Sequence, residues 1–160
     1  MTDYKAKYEQ MKKRATSYSM GICAMIRKVG GDPLLRSILD LAAEHSGTRR
    51  ATALKGETNP ENILAIDLTD MLEEFNTPDV NVDTKSDDYS VKVENPNCGC
   101  ICPFTSQADK FGFTEEEARQ YVCRRCIPSY KESAERLNID FKGKLTEEGC
   151  WMQFSRKDGQ

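Results

Sequence analysis

Seven cysteines stand in this chain of 160 residues, and six of them, Cys98, Cys100, Cys102, Cys123, Cys126 and Cys150, fall in its last third or so. Thiolate sulfur is polarisable and binds borderline or soft cations. Four such ligands suffice for tetrahedral zinc or for an iron–sulfur cluster. Cys123-Arg-Arg-Cys126 is a CxxC, and on a helix these two positions share a face, so both sulfurs can converge on one ion. Arg124 and Arg125 between them would lower thiol pKa values and offset the charge of a thiolate-rich site. Cys98-Gly-Cys100-Ile-Cys102 is a CxCxC, whose three side chains would share one side of an extended segment or wrap a centre in a tight turn. Six candidates exceed the four that one ion needs. The paired spacings favour Cys100, Cys102, Cys123 and Cys126 as the primary set, with Cys98 and Cys150 as further ligands or reserve thiols.

The spacing is neither that of a zinc ribbon with two CxxC pairs nor that of a bacterial ferredoxin, so it leaves zinc and an iron–sulfur cluster both open. Redox or nucleophilic thiols are a second reading, and buried apolar cysteines a third. Cys23 sits among Ile22, Met25 and Ile26 and reads as a core residue instead. His45 is the only histidine and reads as a helix-end or surface group. Glu147 and Glu148 read as solvated turn charge, and no phosphate-binding glycine loop is present.

The composition allows this chemistry and excludes other kinds. A hydrophobic fraction of 38% against 31% charged residues is enough for a modest core in one domain. The net charge of −3 disfavours nucleic acid as a partner and leaves a small molecule or a partner protein. No stretch approaches the ~18 apolar residues of a membrane span, and the first residues lack a secretory signal. A cytoplasmic, reducing setting is expected, where metal or redox roles outweigh disulfides.

The elements that must position the cysteines follow from periodicity. Asp3 to Val29 reads as a helix, with Ile22, Met25, Ile26 and Val29 at helical spacing and Gly30-Gly31 ending it. Asp32-Pro33 starts a second helix by cap-then-proline, with Leu34, Leu35, Ile38, Leu39 and Ala42 on its apolar face and an end at His45 to Gly47. Thr48 to Thr58 reads as a loop. A third helix opens at Asn59-Pro60, carries Leu64, Leu68, Met71, Leu72 and Phe75, and closes at Thr77-Pro78.

The period then changes to two. Val80 and Val82, then Tyr89, Val91 and Val93, predict an antiparallel hairpin around Lys85 to Asp88, and the CxCxC loop leaves the end of its second strand. A short helical stretch spans Phe104 to Phe111. Thr114-Glu-Glu-Glu117 is a capping box for a longer helix holding Cys123 and Cys126, which Pro128 should kink or end and Ser129 restart, with Tyr130, Ala134 and Leu137 inward. Phe141 to Leu145 and Cys150 to Phe154 form a second hairpin. The expected class is α+β: helices packed on one face of a small antiparallel sheet of two hairpins, with residues 1–76 mostly helical and 77–160 carrying the cysteines.

From about Cys100 to Ser155, three short motifs carry a resemblance: Cys102-Pro103, then Cys126 before a helix ending at Leu137-Asn138, then Cys150-Trp151-Met152-Gln153-Phe154. In these the chain resembles the L-2-amino-thiazoline-4-carboxylic acid hydrolase-like family. In arrangement it is also similar to 4-vinyl reductase-type small-ligand domains, which place helices on an antiparallel sheet near a cysteine-bound zinc. The first resemblance implies hydrolysis of a small cyclic C–N substrate, whereas the surplus of cysteine ligands without an obvious acid–base pair points to a small-ligand binding or sensor module. Cys98, Cys100 and Cys123 are additional to the hydrolase-like pattern. Ile127-Pro128 stand where an acidic residue is expected after Cys126, which shifts the expectation toward a metal centre.

Overall fold

The computed structural model describes residues 4–57, 59, 60, 62, 81–87, 90–95, 102–146 and 149–157. Helix α1 runs Tyr4–Ala53 and is bent at Gly31, whose φ of 70° and ψ of −175° leave the helical region. Positive φ costs an L side chain about 1–2 kcal/mol, which glycine avoids. Asp32 and Pro33 restart the helix directly, so the two helices expected from the sequence meet with no loop between them.

The second half of α1 continues past His45 and Gly47, where it was expected to stop, and into the expected loop, ending in the turn Leu54 to Gly56. The reason lies in its buried row. Leu35, Leu39, Ala43, Gly47 and Ala51 recur every four residues and form one ridge against a neighbouring helix. Gly47 is thus a point of close approach and not a terminator. The expected face was also displaced: Leu35 and Leu39 are buried, whereas Leu34 and Ile38 are exposed.

The neighbour is α3. It follows α2 (Cys102–Thr105) and a 3₁₀ turn (Ala108–Phe111), and spans Glu115–Arg136. The Thr114 hydroxyl accepts from the Glu117 N–H at 3.1 Å and the Glu117 carboxylate accepts from the Thr114 N–H at 2.8 Å, completing the expected capping box. Pro128 neither ends nor divides α3, which continues to Arg136 with Tyr130, Ala134 and Leu137 buried. Just after Pro128 the Ser129 carbonyl and the Glu132 side chain close on Gly47 of the α1 ridge, and this close crossing holds that turn of α3 in its helical packing.

Arg27 ties the bend of α1 to the start of α3. Its guanidinium pairs with Asp32 at 2.9 Å and Glu117 at 2.8 Å and lies 5.1 Å over the Phe113 ring. The Tyr121 hydroxyl donates to Asp32 at 3.2 Å. Burial, with that hydrogen bond to Asp32 next, pushes the Tyr121 hydroxyl above its usual range.

At Glu117 the Thr114 N–H, and then Arg27, hold the carboxyl below the usual range. A depressed carboxyl stabilises the fold fully above its unfolded pKa and ceases to as pH falls through the folded value. Thr114→Ala should therefore cost about 1 kcal/mol in urea unfolding at neutral pH. Glu117→Gln should flatten the acid limb of the stability curve, measured from neutral pH down through the carboxylate range.

Strands β1 (Asn81–Asp87), β2 (Ser90–Asn95), β3 (Ile139–Leu145) and β4 (Cys150–Arg156) form one antiparallel sheet in the order β1-β2-β4-β3. The first hairpin is longer than expected, since Asp87 pairs with Ser90 and only two residues lie between them. The two hairpins join through β2 and β4, which places β4 inside the sheet. Cys150, Met152 and Phe154 alternate onto its buried face, where the last turns of α3 and the end of the α1 ridge cover them. The class is α+β, with helices on a small antiparallel sheet, as the periodicities indicate. The expected helix from Asn59 lies largely outside the described residues, although Pro60 and Asn62 are helical.

Candidate functional site

Cys123 and Cys126 lie on α3 one turn apart, at the level where the row of α1 reaches Ser46 and Arg50. Cys150 is the first residue of β4 and is directed to the helix side by the two-residue alternation of the strand. These three and Cys23 of α1 line one cavity of about 240 Å³ between α1, α3 and the start of β4. Three of the six cysteines expected to act together are therefore brought to one place from separate elements. Cys123 and Cys150 are buried and Cys126 half-buried.

Cys102 is the first residue of α2, and Phe104, two residues on, lines the same cavity. Cys98 and Cys100 lie outside the described residues, as do Glu147 and Glu148. Among the described residues, no three His, Cys, Asp or Glu side chains are grouped closely enough to hold a metal ion. The expected primary set of Cys100, Cys102, Cys123 and Cys126 thus has one pair, Cys123 and Cys126, placed at the cavity.

The cavity is mostly apolar, with two guanidinium groups at its wall. Arg50 lies 4.3 Å over the Tyr130 ring and donates to Ser129 Oγ at 2.8 Å, so its direction is set by both. Arg125 lines the cavity, whereas Arg124 turns away to pair with Asp40 at 2.7 Å. The two arginines of the CxxC thus differ, and Arg125 alone lines the cavity that Cys123, Cys126 and Cys150 share. At Cys23, burial pushes the thiol up and the Arg125 charge only partly opposes it. Cys23 packs against the cluster of Met20 and Leu39, in keeping with a core role, and it also lines the cavity.

Arg50 was not among the residues singled out from the sequence. It stands in Arg49-Arg50, a pair that reads as solvated charge. Only the continuation of α1 beyond Gly47 brings Arg50 onto Tyr130. His45 is exposed on α1, and Phe154 belongs to the core. Trp151 faces the opposite side of the sheet, with the Lys144 ammonium 6.0 Å over its ring. No helix among the described residues is long and apolar enough to cross a membrane. Comparisons with protein-family models, with curated proteins and with solved structures find no match to this chain.

Proposed function

We propose that this protein carries a cysteine-held zinc ion or iron–sulfur centre at the mouth of the α1–α3–β4 cavity and serves as a small-ligand binding or sensor module. One observation supports this reading above the others. Cys123, Cys126 and Cys150 share one cavity, and the described residues on either side of the CxCxC run belong to elements at that cavity: Asn95 pairs with Cys150, and Cys102 opens the helix of Phe104.

On one side of the run, Asn95 at the end of β2 pairs with Cys150 at the start of β4. At the other end, Cys102 opens the short helix whose Phe104 forms part of the cavity wall. The described cysteines do not complete a tetrahedral set alone, so ligands from Cys98, Cys100 and Cys102 are required by the proposal. Arg125 would compensate the negative charge of such a site.

Serine substitution tests this. Cys123→Ser and Cys126→Ser should each lower bound metal by at least about tenfold, since each removes one ligand of the centre. Cys23→Ser should leave metal content unchanged. Metal retained in both ligand variants would sink the proposal.

A second reading is favoured by the cavity itself. At about 240 Å³ it is smaller than the roughly 300–1,000 Å³ of drug-sized sites, and it combines apolar walls with Arg50. This suits a small cyclic C–N substrate attacked by a thiolate or a metal-bound water. Turnover abolished by Cys150→Ser with metal and fold intact would favour hydrolysis over sensing.

A further inference from the structure

The first half of α1 has two apolar sides, and the core uses only one. Thr16 and Met20 are buried, and Cys23, Ala24 and Ile26 pack beside them against the 3₁₀ turn and α3. On the outer side, Tyr4, Met11, Tyr18 and Met25 alternate with Tyr8, Ala15, Ile22 and Val29 at spacings of four and three, and all eight are exposed. Tyr18 is 77% exposed, Met25 61% and Val29 80%. This is an unbroken 3.5-residue repeat over nearly four heptads, the pattern of a coiled-coil seam. Its last part, Ile22, Met25 and Val29, is visible as an apolar stripe in the sequence, and the core residues that interleave with it mask the rest.

The positions flanking the seam carry one sign of charge. Lys5, Lys7, Lys12, Arg14 and Lys28 stand immediately beside it, and Glu9 is the only acidic residue from Tyr4 to Val29. Flanking charges set partner choice in helix pairs. A second copy would set lysine against lysine in either orientation. A membrane surface calls for a broad apolar face, and here the seam is one residue wide while the opposite side is occupied by the core. From Tyr4 to Ala15 every residue but Lys12 is exposed, so the seam is open to a partner along this stretch.

We propose that this seam docks an amphipathic helix of a partner protein whose own apolar heptad row is flanked by aspartate and glutamate. The two rows would interlock knobs-into-holes, and the acidic flanks would pair with the lysines and Arg14. This proposal is independent of the metal centre.

The test uses the full chain and two labelled four-heptad peptides with leucine in the seam, one carrying glutamate and one lysine at the flanking positions. In fluorescence anisotropy the glutamate peptide should bind, more weakly as salt is added, and the lysine peptide should not. Ile22→Lys and Tyr18→Lys, both at exposed positions, should each weaken binding by about tenfold or more while leaving the urea midpoint unchanged. Equal binding of both peptides, or full binding by either variant, would overturn the proposal. So would a wild-type dimer in sedimentation that Ile22→Lys dissociates. Retention on phosphatidylserine vesicles with no affinity for the glutamate peptide would also overturn it.

Discussion

Phe154→Ala should lower the unfolding free energy by about 3–5 kcal/mol, the range for deleting a large aromatic side chain from a packed core. Phe154 is fully buried at the centre of β4. Its ring lies 5.1 Å from that of Phe141 and 6.1 Å from that of Tyr130, which joins the sheet to α3. Met152, also fully buried, is its neighbour on the same face. Removing the ring therefore leaves a void bounded by strand and helix, and neither can collapse into it without moving the sheet off α3. A domain of this size has a total stability of about 5–15 kcal/mol, so the loss is a large share. The measurement is urea unfolding, with a lower midpoint and an unchanged slope. A shift below about 1 kcal/mol would mean that the sheet is not anchored through this cluster.

Gly47→Ala should also be destabilising, although alanine is the better helix former by about 1 kcal/mol. A Cβ at residue 47 would lie 2.5 Å from the Ser129 carbonyl oxygen and 2.6 Å from Glu132 Cβ. The first of these is backbone and cannot rotate away, so α1 and α3 must separate. Overpacking of this kind costs about 1–3 kcal/mol, and a bulkier residue costs more. The same separation would disturb the Arg50 hydrogen bond to Ser129 and the wall of the cavity. Gly47→Ala should thus give a lower urea midpoint, and Gly47→Val a lower one still. Unchanged stability in both would mean that the helices do not cross as closely as described.

Gly47 also marks where local reading of the sequence stops being sufficient. A glycine after an apolar run has the form of a helix terminator, and only the approach of α3 shows its other use. Pro128 is similar: alone it predicts a break, and the close approach of Ser129 and Glu132 to Gly47 of α1 carries the helix through. The capping box at Thr114 and the alternation of Cys150, Met152 and Phe154 were legible because they depend on neighbours in the chain. The amphipathic reading of Ile22, Met25 and Val29 found a real stripe, but one turned to solvent, because two apolar rows overlap on one helix. In the site, the helical spacing of Cys123 and Cys126 was legible. Their meeting with Cys150 and Arg50 in one cavity was not, since it depends on strand order and on the crossing of α1 and α3.

The cysteine-held centre is tested most directly by zinc, iron and acid-labile sulfide content, with a visible spectrum, on protein purified without oxygen. The account predicts near-stoichiometric zinc without colour, or iron with sulfide and a broad visible band, lost in Cys123→Ser and Cys126→Ser and kept in Cys23→Ser. Protein that holds neither, even after anaerobic reconstitution, would contradict it and leave the cavity thiols as the chemistry to explain.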